Sequence, residues 1–391
     1  MSEAAQPLTA PRQWMGPPQH FFNPTLLMFL ASVAIAAIST VGYFRWHWVD
    51  WCCFLLNVLA LHMVGTVIHD ACHNAAHRNR IVNAMLGHGS ALMLGFSFPV
   101  FTRVHMQHHA HVNDPKNDPD HIVSTFGPLW LINARFFYHE IFFFQRRLWR
   151  KYELLEWFIG RALVALIVYL GVQYGFLGYI FNFWFVPLAV VGLALGLFFD
   201  YLPHRPFQER DRWLNARVYP SRILNLLIGG QNYHLVHHLW PTVPWYQYQA
   251  AYYQMKPLLD SKGCHQSLGL LASPKDFLGF LYDILLGIRL HQSHTAREEA
   301  AAIGRSVDAA SISPVSAAID GLDPADASHG TTPENVGSVE SSTLVIPVSS
   351  AFVDNSLVDA ASLEHSLPES SPAADVCVGD ARTKVGASSQ S

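Results

Sequence analysis

The stretch VHMQHHAHVNDPKNDPDH, Val104 to His121, holds five histidines, three aspartates and two prolines in eighteen positions. On a helix, residues three and four apart share one face. His105, His108 and His109 therefore point three imidazoles one way. NDPKNDPD is a doubled Asn-Asp-Pro, which turns the chain after that helix. The neighbouring chain is apolar enough for a membrane, so the side of the membrane on which this stretch falls decides the fold.

Working outward, the same grammar recurs. HDACH runs from His69 to His73 and continues to His77. HLVHH supplies His234, His237 and His238. DYLPH sets Asp200 four residues before His204. His69, His73, His105, His108, His109, His204, His234, His237 and His238 offer nine imidazoles. A single zinc takes four ligands, so the set suits two transition-metal ions, and imidazole is compatible with iron, copper, nickel or zinc. His77 and Asp200 stand beside these clusters as further candidates, Asp200 binding metal directly or through water. Asp70, Asp114, Asp118 and Asp120 are candidates to accept the second N–H of a metal-bound imidazole, which fixes the ring and its tautomer. Turn formation explains the three in the Asn-Asp-Pro stretch equally well. One HxxxH alone is more often an ordinary histidine pair; the recurrence is what argues for metal.

The surrounding chain is 51% hydrophobic and 14% charged, against about 25% charged in soluble domains. Four runs reach the roughly 20 apolar residues that cross a bilayer: Pro24 to Phe44, Trp51 to Ile68, Trp157 to Ile180 and Asn182 to Tyr201. Short links predict two helical hairpins, the second turning near Asn182. Ala84 to Phe101 and Pro128 to Trp149 are long but interrupted, and read as interfacial or re-entrant helices. Arginines and lysines concentrate between the hairpins and after the second. The positive-inside rule then sets both termini and the histidine clusters on the cytoplasmic side. The clusters can meet only if Ala84 to Phe101 does not cross.

The expectation is an all-α integral membrane protein: an N-terminal segment 1–23, a membrane domain 24–290 with four transmembrane helices and a helical cytoplasmic cap, and a low-complexity, disordered tail 295–391. Nothing suggests nucleic acid. Five cysteines without CxxC spacing give no disulfide framework, zinc ribbon or iron–sulfur cluster. A metal transporter would place ionisable groups near the bilayer midplane; His62 is the main candidate, which is thin support.

The order HxxxH, HxxHH, DxxxH, HxxHH resembles the membrane fatty-acid desaturase and hydroxylase superfamily. More narrowly, HDACHNAAH, FFDYLPHRPFQERDRWLNARVYPS and GQNYHLVHHLWPTVPWYQYQ resemble β-carotene ring hydroxylases of cyanobacterial type. The resemblance covers Phe21 to Leu271 and implies two iron ions, O2 as co-substrate, and hydroxylation of β-carotene through β-cryptoxanthin to zeaxanthin. It further implies a ferredoxin-type electron donor, since the chain shows no heme motif, cysteine cluster or dinucleotide fingerprint. Arg146, Arg147, Arg150, Lys151, Arg210 and Arg212 could attract such an acidic carrier, or serve only as topology signals. An acyl-lipid desaturase with the same di-iron core is the alternative. Plasma or thylakoid membrane is the expected location in a phototroph.

Overall fold

A computed structural model describes residues 10–270 and 273–311. Among the described residues every regular element is helical. Four helices are long and apolar enough to cross a membrane: α1 (Pro24–Trp46), α2 (Asp50–Cys72), and two more, Lys151–Gln173 and Leu177–His204. Two helices lie between these pairs, α3 (Arg80–Met93) and α4 (Phe98–His111), followed by the short α5 (Pro119–Thr125) and α6 (Phe137–Gln145). The later spans are then α7 (Lys151–Gln173) and α8 (Leu177–His204). A cap follows, with α9 (Arg222–Leu227), α10 (His234–Leu239), α11 (Tyr248–Ser261), α12 (Pro274–Leu285) and α13 (Ile288–Ser311).

Local chemistry sets the helix ends. The Asn23 side chain accepts from the backbone N–H groups of Thr25 and Leu26, and Pro24 occupies the first turn of α1, where its missing N–H costs nothing. Ser32 donates to Ala60 O at 2.7 Å and Ser39 to Cys53 O at 3.1 Å. Residue numbers fall along α2 as they rise along α1, so the two run antiparallel. Their outward faces carry Leu27, Leu30, Val33, Leu55 and Leu59 exposed, as contact with lipid requires.

The second pair differs in register from expectation. Its turn lies at Tyr174–Phe176, not near Asn182, which sits inside α8. Gly175 takes φ +75° there, a left-handed conformation that stops a helix and that glycine alone adopts without cost. At the other end Glu153 accepts from Arg150 N at 2.8 Å, so α7 starts at Lys151, before Trp157. Arg103 grips the same carboxylate at 3.0 and 2.6 Å, tying α4 to the start of α7.

Ala84 to Phe101 straddles α3 and α4, which are bent by 101° across the break at Leu94–Ser97. The pair leaves the end of α2 at Arg80 and returns beside it, with the His73 and His105 rings 5.0 Å apart. Both ends of the bent pair therefore lie at one end of the bundle. The N-terminal segment packs onto the cap: Gly16 N donates to Thr242 O at 3.0 Å, and Trp14 lies against the cluster around Tyr233, Leu235 and Trp240. Helix α13 continues past Thr295, where the tail was expected to begin, and residues from 312 onward lie outside the described residues.

Candidate metal centre

The last turn of α2, the last turns of α4, the end of α8 and the whole of α10 meet at one end of the bundle. They bring the nine histidines together, eight of them in two groups of four. His69, His73, His105 and His237 form one, and His108, His204, His234 and His238 the other, with the donor atoms of each group within 4.8 Å of one another. His109 stands between them, its Nε2 3.1 Å from His105 Nε2 and 2.9 Å from His237 Nε2. In the second group His234 Nε2 is 3.0 Å from both His204 Nε2 and His238 Nε2. Metal–nitrogen bonds of about 2.0–2.1 Å place neighbouring ligands about 3.0–3.4 Å apart. The imidazoles are at ligand spacing.

Solvent and hydrogen bonds do not account for these rings. Both nitrogens of His69 and Nε2 of His73 are buried with no hydrogen-bond partner among the described residues. Each such orphan costs about 1–3 kcal/mol. A cation between the rings would take up one lone pair from each of His69 and His73, so the donor set fits two metal ions. Burial, and then the neighbouring imidazoles, push His73, His234, His237 and His238 well below the usual histidine range. These four rings are therefore neutral near pH 7, the form that ligates; His108 differs, because its burial is outweighed by Asp118 and Asp120, which push it up to about 10.

The far nitrogens are held from behind. His108 Nδ1 donates to Asp118 Oδ1 at 2.9 Å, with Asp120 Oδ2 at 3.5 Å. His139 Nε2 lies 2.7 Å from Asp120 Oδ1 and steadies that carboxylate. His204 Nδ1 is 2.9 Å from the Asn215 carbonyl, and His234 Nδ1 is 2.7 Å from Gln231 Oε1. The Tyr248 hydroxyl and His237 Nδ1 are 3.0 Å apart. Gln231, Asn215 and Tyr248 are absent from the residues picked out in the sequence. Gln231 sits three before His234, a spacing that could have flagged it; the other two are brought in only by the tertiary fold.

The remaining candidates divide. Asp118 also accepts from Asn113 N at 2.7 Å and Asp120 N at 2.9 Å, so it closes the turn and orients a ring together. Asp114 accepts from Lys116 N at 2.8 Å and faces Arg210 at 3.4 Å; it serves the turn. Asp70 accepts from Thr25 Oγ1 at 2.8 Å and Trp245 N at 3.2 Å, joining α1, α2 and the cap rather than an imidazole. His77 accepts from Asn79 N at 2.9 Å through Nδ1, and its Nε2 lies 3.1 Å from Phe21 O. Neither nitrogen is free for metal. Asp200 is buried in a wider π-helical turn, takes a hydrogen bond from Ser124, and keeps Oδ1 unpartnered among the described residues.

A cavity of about 230 Å³ opens beside both groups. His69, His105, His108 and His234 border it, with Asp200 at the same end, while Leu94, Phe96, Phe101, Phe136, Leu188 and Leu195 make most of its wall apolar.

Residues 45–268 match the family model described as fatty acid desaturase. A chloroplastic omega-6 fatty acid desaturase of Arabidopsis thaliana is 28% identical over 282 residues, covering 60% of each chain. A beta-carotene ketolase of Paracoccus sp. is 33% identical over 189 residues, 46% of this chain and 70% of that one. A beta-carotene 4-ketolase of Haematococcus lacustris is 26% identical over 192 residues, 46% of this chain and 54% of that one. The chain thus spans little more than half the length of two of these three relatives.

Proposed function

This chain belongs to the fatty acid desaturase family, and from that premise we propose that it is a membrane-bound di-iron carotenoid hydroxylase acting on the β-ionone rings of β-carotene. The observation that carries the reading is the apolar cavity bordered by histidines of both groups. A substrate drawn from the bilayer enters such a cavity without leaving an apolar medium. The names of the ketolase relatives support a carotenoid ring as that substrate.

In this reading His69, His73, His105 and His237 hold one iron, and His108, His204, His234 and His238 the other, with His109 between. Two irons would supply the O2-dependent oxidation of an unactivated C–H bond, chemistry beyond any side chain. One oxygen atom goes to the ring carbon and the other leaves as water, which takes two electrons and two protons per turnover. The electrons come from a separate ferredoxin-type carrier. Asp118, Gln231, Asn215 and Tyr248 fix the imidazoles from behind, and Phe96, Phe101 and Leu195 exclude water from the ring. Positive-inside patterning supports a cytoplasmic position for the centre.

The test is expression in a β-carotene-producing host with chromatography of the pigments. β-Cryptoxanthin and then zeaxanthin are expected. Keto products would move the chain to ring ketolation. The omega-6 desaturase relative supports the second reading, acyl-lipid desaturation; unchanged carotenoid with new acyl double bonds would establish it.

A further inference from the structure

Between Tyr219 and Asn232 the chain leaves the cap and returns to it. At the neck of this excursion Tyr219 N donates to Asn232 O at 2.8 Å, and the Asn232 amide donates to the Tyr219 and Ser221 carbonyls at 3.3 and 3.1 Å. The neck stands two residues before the ligand His234 (234 − 232). Helix α9 lies within the excursion, and its far end touches α2. His62 Nε2 is 2.9 Å from Leu227 O and donates to it. Gly229 packs so closely on α2 that a Cβ there would collide with the Thr66 hydroxyl. His62 is seven residues before the ligand His69 (69 − 62), about 10 Å along the axis. It is six residues inside the apolar run that ends at Ile68 (68 − 62), about 9 Å.

From 222 to 230 the chain reads RILNLLIGG, with Arg222 its only charge. Ile223 is 73%, Leu226 71% and Leu227 59% exposed, three large aliphatic side chains without cover. The last carbonyls of a helix have no intrahelical partner. In water the solvent satisfies them; in hydrocarbon the protein must. Here Ile228 N donates to Leu224 O at 2.9 Å, Gly230 N donates to Asn225 O at 2.8 Å, and His62 reaches out of its span to the Leu227 carbonyl. A histidine within a span is kept where it meets a partner, and this carbonyl is that partner. Water around α9 would leave the aliphatic side chains stranded and the histidine without a task. Leu59, three residues before His62 on the same face of α2, is exposed as well.

We propose that α9 is sunk among the acyl chains of the leaflet on the metal-centre side, with Ile223, Leu226 and Leu227 facing lipid and His62 holding its far end. The partner of this surface is the bilayer itself. Interfacial helices sink about 5–10 Å into the headgroup and acyl boundary, which agrees with the depth of His62. Arg222, next to the neck, can reach headgroup phosphates along its aliphatic stem. The excursion returns through Asn232 into the segment that carries His234, His237 and His238, so the lipid seat of α9 positions those ligands. The proposal rests on α2 crossing the bilayer and is independent of which substrate the centre oxidises.

Single cysteines at Leu59, Gln208, Ile223 and Leu226, in the full chain freed of its five native cysteines, carry a bimane fluorophore in phosphatidylcholine nanodiscs. Quenching is read with iodide in the water and with a doxyl nitroxide on the lipid acyl chain. The labels at 223 and 226 are expected to be quenched by the lipid nitroxide, as at Leu59, and to lose the iodide quenching that Gln208 shows. Iodide quenching of both at the level of Gln208 overturns the insertion. Protection from both quenchers means that protein, such as a second copy, covers α9, and overturns it too. Iodide quenching at Leu59 would take α2 out of the bilayer, and the proposal with it. His62→Leu leaves the Leu227 carbonyl without its donor, so the label at 226 is expected to lose lipid quenching and gain iodide quenching. An unchanged label overturns His62 as the anchor. The labels at 223 and 226 replace exposed side chains, so they decide the insertion should His62→Leu fail to accumulate.

Discussion

Asp118 and Asp114 occupy equivalent places in the doubled Asn-Asp-Pro, and only the fold separates them. Asp118 shares its carboxylate between His108 and the Asn113 amide; Asp114 meets backbone amides and Arg210. Asp118→Asn keeps the shape but replaces an acceptor with a donor. A partner of this kind is worth about 10–100-fold in metal affinity. Iron content by mass spectrometry is expected to fall in Asp118→Asn and to stay normal in Asp114→Asn; equal retention in both would remove Asp118 from the centre. His109→Ala should abolish turnover, because its ring stands between the two groups. His77→Ala should cost stability and leave iron in place. At this scale the nine imidazoles were legible from spacing alone, since helical periodicity is a local property. Tyr248 was not, because nothing in the sequence near it refers to His237, eleven residues earlier (248 − 237).

Helices α12 and α13 clasp the end of α8 through one carboxylate. The Asp283 side chain is fully buried, accepts from Tyr201 Oη and from Arg205 Nε at 2.9 Å, and faces His291 at 3.0 Å. Arg205 directly follows the histidine at the end of α8. Removing one partner of a buried ion pair costs about 3–5 kcal/mol, so Asp283→Ala is expected to lower the melting temperature and the iron content together. A chain ended after Thr295 keeps Arg289, His291 and Gln292, and is expected to retain both. Loss of iron on that truncation would show that residues after Thr295 are needed. The existence of the spans was legible, because twenty apolar residues are hard to mistake. The register of the second pair was not: Trp157 to Tyr201 is apolar almost throughout, and hydropathy does not mark where such a run folds back.

For the molecule as a whole, convergence of the histidines fixes sidedness relative to one another. Single cysteines at Asn79, Lys116, Gln208 and Thr242, in a background free of the five native cysteines, are expected to react with an impermeant thiol reagent from one side only. A cysteine at Asp50, at the start of α2, is expected to react from the other. Retained activity of the cysteine-free background is the control. Labelling of the Lys116 position together with Asp50 would mean that α3 and α4 cross, which contradicts His105 lying beside His73. Parity of spans made this arrangement readable from sequence, given the assumption that Ala84 to Phe101 returns; the 101° bend supplies the mechanism.

The order in which the ligands occur along the chain also governs how the protein is made. His69 and His73 leave the ribosome long before His234, His237 and His238, and two further spans must enter the membrane between them. A half-made chain offers each metal position only part of its ligands, and neither site is complete before α10 emerges. Under the proposed di-iron reading, iron loading would therefore be a late event in biogenesis, after integration of α7 and α8.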